Sequence, residues 1–192
     1  MLPTRLVRVA VVAFAVVAVA CGDPTRPKAT FANAPSSYAL YALTGSPALV
    51  PNAFNFLGGA TRADAAFLFD IAFDIDASGR AVVYPVRALA GALAGVQKRV
   101  GLQVVAGGYE TLREAPLTGY DTLTPKVLAP GGVLAVEIRE PSACFSSLFS
   151  QVLYGKLVVD SVKPATRRIY GRTVIDPNCG YRSVVPDSVP KS

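Results

Sequence analysis

The chain is expected to be all-β, folding as one antiparallel β-sandwich or a small, partly open β-barrel. Short segments of alternating apolar and polar residues recur along it. Turns rich in its 16 Gly and 15 Pro separate them. Hardly any stretch keeps the 3.6-residue period of an amphipathic helix.

Taken in order, the first strand is expected at Tyr38–Leu43. The clearest alternation follows, with Phe67, Phe69, Ile71, Phe73 and Ile75 on one side of an extended segment and Leu68, Asp70, Ala72, Asp74 and Asp76 on the other. Burying five such side chains is worth on the order of 10 kcal/mol, which fixes the register, and the acids are expected to face solvent. Ala77, Ser78 and Gly79 form a turn, and Ala81–Arg87 returns as a strand that Pro85 marks as an edge or a bulge. Leu89–Gln97 is the one helix candidate, weakened by two glycines. Arg99–Ala106 and Val133–Arg139 are further strands, the latter approached through Gly131 and Gly132. A hairpin then runs Leu153–Val162, a turn at 163–166, and Arg167–Ile175, with Asp160 expected beside Arg168 across it. Gly180–Val185 is the last strand expected. No internal repeat or low-complexity tract is present.

The N-terminus carries the most specific signal. Arg5 and Arg8 precede an unbroken apolar run of twelve residues, VAVVAFAVVAVA, at Val9–Ala20, which ends on Ala18, Val19 and Ala20 directly before Cys21. Twelve residues suit a signal peptide and are too few for a membrane span. The series resembles the lipobox of bacterial lipoproteins, with Ala at position 18 where Leu is commonest. The resemblance implies removal of residues 1–20, lipid on both the thiol and the amine of Cys21, and a chain anchored to a bacterial membrane in the cell envelope, facing the periplasm or the exterior. An ordinary secretory signal is the alternative, and it too places the mature chain outside the cytoplasm. Residues 21–36 then read as a tether, with three prolines and no apolar periodicity. The β domain is expected at 37–185 and a tail at 186–192.

Without residues 1–20, 17 basic and 13 acidic side chains remain, a balance of +4. The excess lies after residue 150, where Lys156, Arg168 and Arg172 suggest a basic patch for anionic lipid or an anionic envelope polymer, set against the plainer reading of a solvated strand face. No nucleic-acid motif is present. The chain has no His, which excludes Ser-His-Asp and Cys-His catalysis and removes the usual zinc ligand. With Cys21 assigned to lipid, Cys144 and Cys179 form an even pair in an oxidising compartment and are expected to be disulfide-bonded.

Two chemistries survive. Carboxylates act as acid and base without histidine, and the candidates are Glu110, Glu114, Glu137 and Glu140, which nothing in the sequence ties into one cleft. In FDIDASGR, Asp74, Asp76, Ser78 and Gly79 match positions 1, 3, 5 and 6 of a calcium loop, but position 12 is Pro85, which cannot ligate. A hairpin turn explains the same residues, and calcium remains the weaker reading. No cofactor is expected. Three functions are in view: a non-enzymatic envelope lipoprotein that contacts another envelope component, a carrier enclosing a small apolar ligand in a barrel, and a carboxylate hydrolase.

Overall fold

The computed structural model describes residues 28–90, 98–140, 144 and 150–191. Residues 1–20, Cys21 with the tether up to residue 27, and residues 91–97 of the helix candidate lie outside these. The chain divides into two compact units, residues 1–29 with 191–192 and residues 30–190. Among its described residues the second holds ten strands: β1 (Ala34–Tyr41), β2 (Ala53–Asn55), β3 (Gly59–Thr61), β4 (Ile71–Ile75), β5 (Ala81–Pro85), β6 (Arg99–Val104), β7 (Lys126–Leu128), β8 (Val133–Arg139), β9 (Val152–Lys163) and β10 (Arg168–Asp176). A short helix, α1, covers Val86–Ala90.

Two five-stranded antiparallel sheets form, in the orders β1-β10-β9-β8-β6 and β3-β2-β4-β5-β7. Neither closes into a barrel, so the sandwich expectation holds and the barrel does not. Tyr38, Phe54, Phe73, Leu134, Leu157 and Ile169 fill the space between the sheets. The core is therefore packed side chain against side chain.

The long strands match the sequence reading within one to three residues at most ends. Val133–Arg139 matches at both. Phe69, Ile71, Phe73 and Ile75 enter the core as the alternation requires, but β4 starts only at Ile71 because Phe67 adopts a left-handed φ of 50°. Pro85 ends β5, whose pairing with β7 stops at Val83, so its missing N–H removes no ladder bond to that strand. Gly180–Val185 is not a strand. It makes one bridge, Ser183 opposite Glu114. The domain is also wider than expected. Thr30 and Phe31 donate their N–H groups to the Asn178 side chain, and Asn33 pairs by backbone with Asp187 and Ser188, so part of the expected tether and tail belongs to the fold.

The outer face of the first sheet is covered as well. Tyr109, Val133, Val158 and Val174 make one small apolar cluster there, and Ala115, Val152, Tyr154 and Val184 another. Residues 105–125, mostly irregular, supply the cover. β9 therefore reads as an unbroken buried run from Val152 to Val159, the pattern of a strand covered on two sides.

Tyr38 shows how tightly β1 and β10 fit. Its register partner is Gly171, and its hydroxyl donates to the Val158 carbonyl at 2.9 Å. A Cβ on Gly171 would stand 2.1 Å from that carbonyl oxygen and 2.2 Å from the hydroxyl. Beside it the β9–β10 register shifts between Tyr170 and Gly171, leaving Asp160 as an extra residue on β9. The hairpin pairs Arg168 with Lys163, so Asp160 does not stand beside Arg168 as expected, and its carboxylate meets Arg172 at 3.0 Å.

Gly171→Ala should thus cost about 3 kcal/mol, from overpacking and the displaced Tyr38 bond. Gly108→Ala, where only ordinary contact with Thr111 awaits a Cβ at 3.8 Å, should cost under about 1 kcal/mol. Denaturant melts of the two variants compare them directly. Cys144 and Cys179 form a disulfide with α-carbons 5.9 Å apart across a separation of 35 residues. Reduction should remove roughly 3 to 4 kcal/mol of stability in the chain-entropy model. No thiol from this pair should titrate in the denatured chain before reductant is added.

Candidate functional site

The acids of the FDIDASGR stretch are committed to protein partners. Asp74 accepts from the Arg167 guanidinium at 2.7 Å and from the Thr44 hydroxyl at 3.0 Å. Asp76 accepts the Ser78 and Arg80 N–H groups, both at 2.9 Å, and pairs with the Arg80 guanidinium. Gly79 sits at φ +76° with its N–H on the Asp76 carbonyl, the conformation a tight hairpin needs. The carboxylates brace the hairpin, and among the described residues no group of three or more Cys, Asp or Glu side chains gathers as a metal cluster would.

Asp70, expected at the surface with these acids, is 2 % exposed. It precedes β4, where the chain is not yet extended, and its carboxylate turns inward to accept the Phe56 N–H at 2.6 Å. Lys98 lies 3.0 Å away and also 3.2 Å from Glu140, so one buried ammonium ties the approach to β4 in one sheet to the ends of β6 and β8 in the other. Burial pushes the Asp70 carboxyl up despite that ammonium. On Lys98, burial acts downward, but the charges and hydrogen bonds of Asp70 and Glu140 together outweigh it, and the net shift is upward.

The four candidate carboxylates are taken up separately. Glu110 pairs with Arg172, Glu114 with Arg182, Glu137 with Arg139, and Glu140 with Lys98. Each is held by a different cation, two of them shared with Asp70 and Asp160, an arrangement that holds a carboxylate in place and does not present a facing acid and base.

The three residues of the expected basic patch have three different surroundings. Lys156 is 1 % exposed. Its ammonium donates to the Tyr109 and Leu112 carbonyls at 2.6 and 2.9 Å and lies 4.4 Å from the Tyr109 ring centroid, fastening the covering segment from beneath. Burial pulls it below the usual lysine range. Lys156 therefore does not belong to a solvated face: the alternation assigned it correctly to the outer side of β9 but could not reveal that a loop covers that side. Arg172 is neutralised by Asp160 and Glu110 and lies 4.7 Å from the other neighbour of the patch, the Tyr109 ring. Arg168 rests against Tyr41 and Tyr170, 5.0 and 5.2 Å from their centroids.

Of these residues, Arg172 lines an open groove of about 390 Å³ together with Pro35, Ser36, Ser37, Tyr109, Glu110 and Pro186. The covering segment stops at its rim. Beyond it, β1 and β10 set Ser37 opposite Arg172, Ala39 opposite Tyr170 and Tyr41 opposite Arg168, with Tyr41, Tyr170 and Arg168 half-buried and the others exposed, a tyrosine- and arginine-bearing strip of the kind that concentrates binding energy in interfaces.

Asp176, at the far end of β10, is fully buried. One carboxyl oxygen accepts from the backbone and side-chain N–H groups of Asn178, each at 2.8 Å, and the other has no partner. Burial pushes this carboxyl up to about 6, against the opposing Asn178 bonds. Asn178 in turn holds Thr30 and Phe31. No sequence pattern singled out this clasp.

The chain matches no protein-family model, and searches of curated proteins and of solved structures give no match either.

Between pH 4 and 6 the folded chain keeps a proton on Asp176 that the unfolded chain releases, so this group's contribution to stability falls as pH rises through that window and is level above it. Asp176→Asn, which keeps the acceptor for Asn178, should gain on the parent by up to about 3 kcal/mol from pH 4 to 7. Parallel denaturant melts across that range test it, and a pH-independent difference would refute it.

Proposed function

We propose that the chain is a lipid-anchored lipoprotein of a bacterial cell envelope, whose β-sandwich acts as a non-enzymatic interaction module. The observation that carries this reading is the N-terminal series itself: Arg5 and Arg8, the apolar run at Val9–Ala20, and small residues leading into Cys21. More than one acyl chain at Cys21, at about 0.8 kcal/mol per buried methylene, makes a stable anchor. A disulfide between Cys144 and Cys179 fits an oxidising compartment. The interaction role draws on the half-buried Tyr41, Tyr170 and Arg168 and the exposed Arg172 of β1 and β10, and on carboxylates already engaged by cations. The partner is another component of the envelope, and the membrane is contacted through the anchor.

Intact mass of the protein isolated from its membrane should show loss of residues 1–20 and added acyl mass at Cys21, and Cys21→Ser should release the chain or leave its signal uncleaved. An unmodified N-terminus at any other position would overturn the anchor.

A further inference from the structure

Half of the domain's fourteen Lys and Arg side chains are paired with an acid. Arg80, Lys98, Lys126, Arg139, Arg167, Arg172 and Arg182 each meet a carboxylate. Arg168 has none among the described residues, although it stands one position from Arg167, which does. It alone among them lies against two aromatic rings, Tyr41 across the strand pair and Tyr170 two residues along its own strand. Its Nε is buried without an acceptor, an arrangement that costs stability and is uncommon without a purpose. Lys163, exposed and also without a carboxylate partner among the described residues, is its register partner in β9.

We propose that Arg168, flanked by Tyr41 and Tyr170 and seconded by Lys163, is a binding site for an oxyanion, a carboxylate or phosphate group borne by an extended polyanion. A guanidinium presents its N–H groups as a planar fork suited to two oxygens of one anion. Two rings beside it limit its rotamers, so little side-chain freedom remains to be lost on binding. Lys163 and Arg168 place two uncompensated positive charges at one hairpin tip, and no neighbouring acid competes for the fork. The site also lies at the end of β1 opposite Ala34. Eight residues at about 3.3 Å each put it on the order of 25 Å from where the chain enters the domain. The proposal deepens the interaction-module reading and relies on it only for where the partner resides.

The test uses the full chain in detergent, with polyglutamate and polyphosphate as probes in separate low-salt titrations. Binding is read from polymer retention and from the Nε–Hε resonance of Arg168. At least one probe should bind and shift that resonance, and the one that binds identifies the source of the oxyanion. Arg168→Gln should weaken binding about tenfold or more, and Arg168→Lys should weaken it too, because the charge stays but the fork goes. Tyr170→Leu, which keeps the guanidinium and removes a flank, should weaken it severalfold with the melt otherwise intact. Lys191→Gln, an equal loss of charge elsewhere, should change little. No binding of either probe, an unshifted resonance, or equal losses in Arg168→Gln and Lys191→Gln would overturn the site while leaving the lipid anchor untouched.

Discussion

From Val152 to Val159, β9 is covered on both of its faces, and the architecture follows from that constraint. A strand so placed can leave no polar atom unanswered on either side, since water reaches neither. Inward, Leu153, Leu157 and Val159 meet the second sheet. Outward, Tyr154, Lys156 and Val158 need a second cover, and residues 105–125 provide it. The ammonium of Lys156 then finds backbone carbonyls and a ring in place of water, and Tyr109 faces Lys156 and Arg172 at once. The last part of the chain is drawn in the same way: Val184 completes an outer cluster, and its backbone pairs with Arg113.

A second consequence concerns charge. Lys156 and Arg172 adjoin the same ring, yet one is sealed below it and the other neutralised above it by two acids. What the sequence presents as a cluster of three cations is one structural bolt, one satisfied ion pair and one open guanidinium. A count of basic residues is thus a poor guide to electrostatics here, because partners come from elements distant in sequence, such as Glu110 on the covering segment.

The sequence made legible what depends on local periodicity. The alternation of Phe69, Ile71, Phe73 and Ile75 identified the inner face of β4, and that of Leu153, Leu157, Val159, Ile169 and Ile175 the inner face of the β9–β10 hairpin. The two-sheet class followed, as did the turn at Gly79 and the pairing of Cys144 with Cys179. The three-residue strands β2, β3 and β7 were invisible because Ala53–Asn55, Gly59–Thr61 and Lys126–Leu128 are too short to display a period, and tertiary pairing alone makes them strands. The inward turn of Asp70 was hidden for a related reason: its environment is set by Lys98 and by the Phe56 N–H, neither adjacent in the chain. The bulge at Asp160 shifts a register by one residue, which the alternation alone does not disclose.

The β1–β10 ladder has a mechanical meaning. Chain entry near Thr30 and the hairpin tip at Lys163 to Arg168 lie at opposite ends of two antiparallel neighbours paired at eight positions. Tension between an N-terminal tether and anything held at that tip would run along the strands, so the interstrand hydrogen bonds would bear the load together in shear, with none peeled open first. The Asn178 clasp would meet the pull before the ladder does. Cys144 and Cys179 enclose the whole of β9 and β10 in one covalent ring, so even a chain torn past its ladder would extend by the segments outside that ring and the short arc from Cys179 to the tip, and not by the whole of β9 and β10.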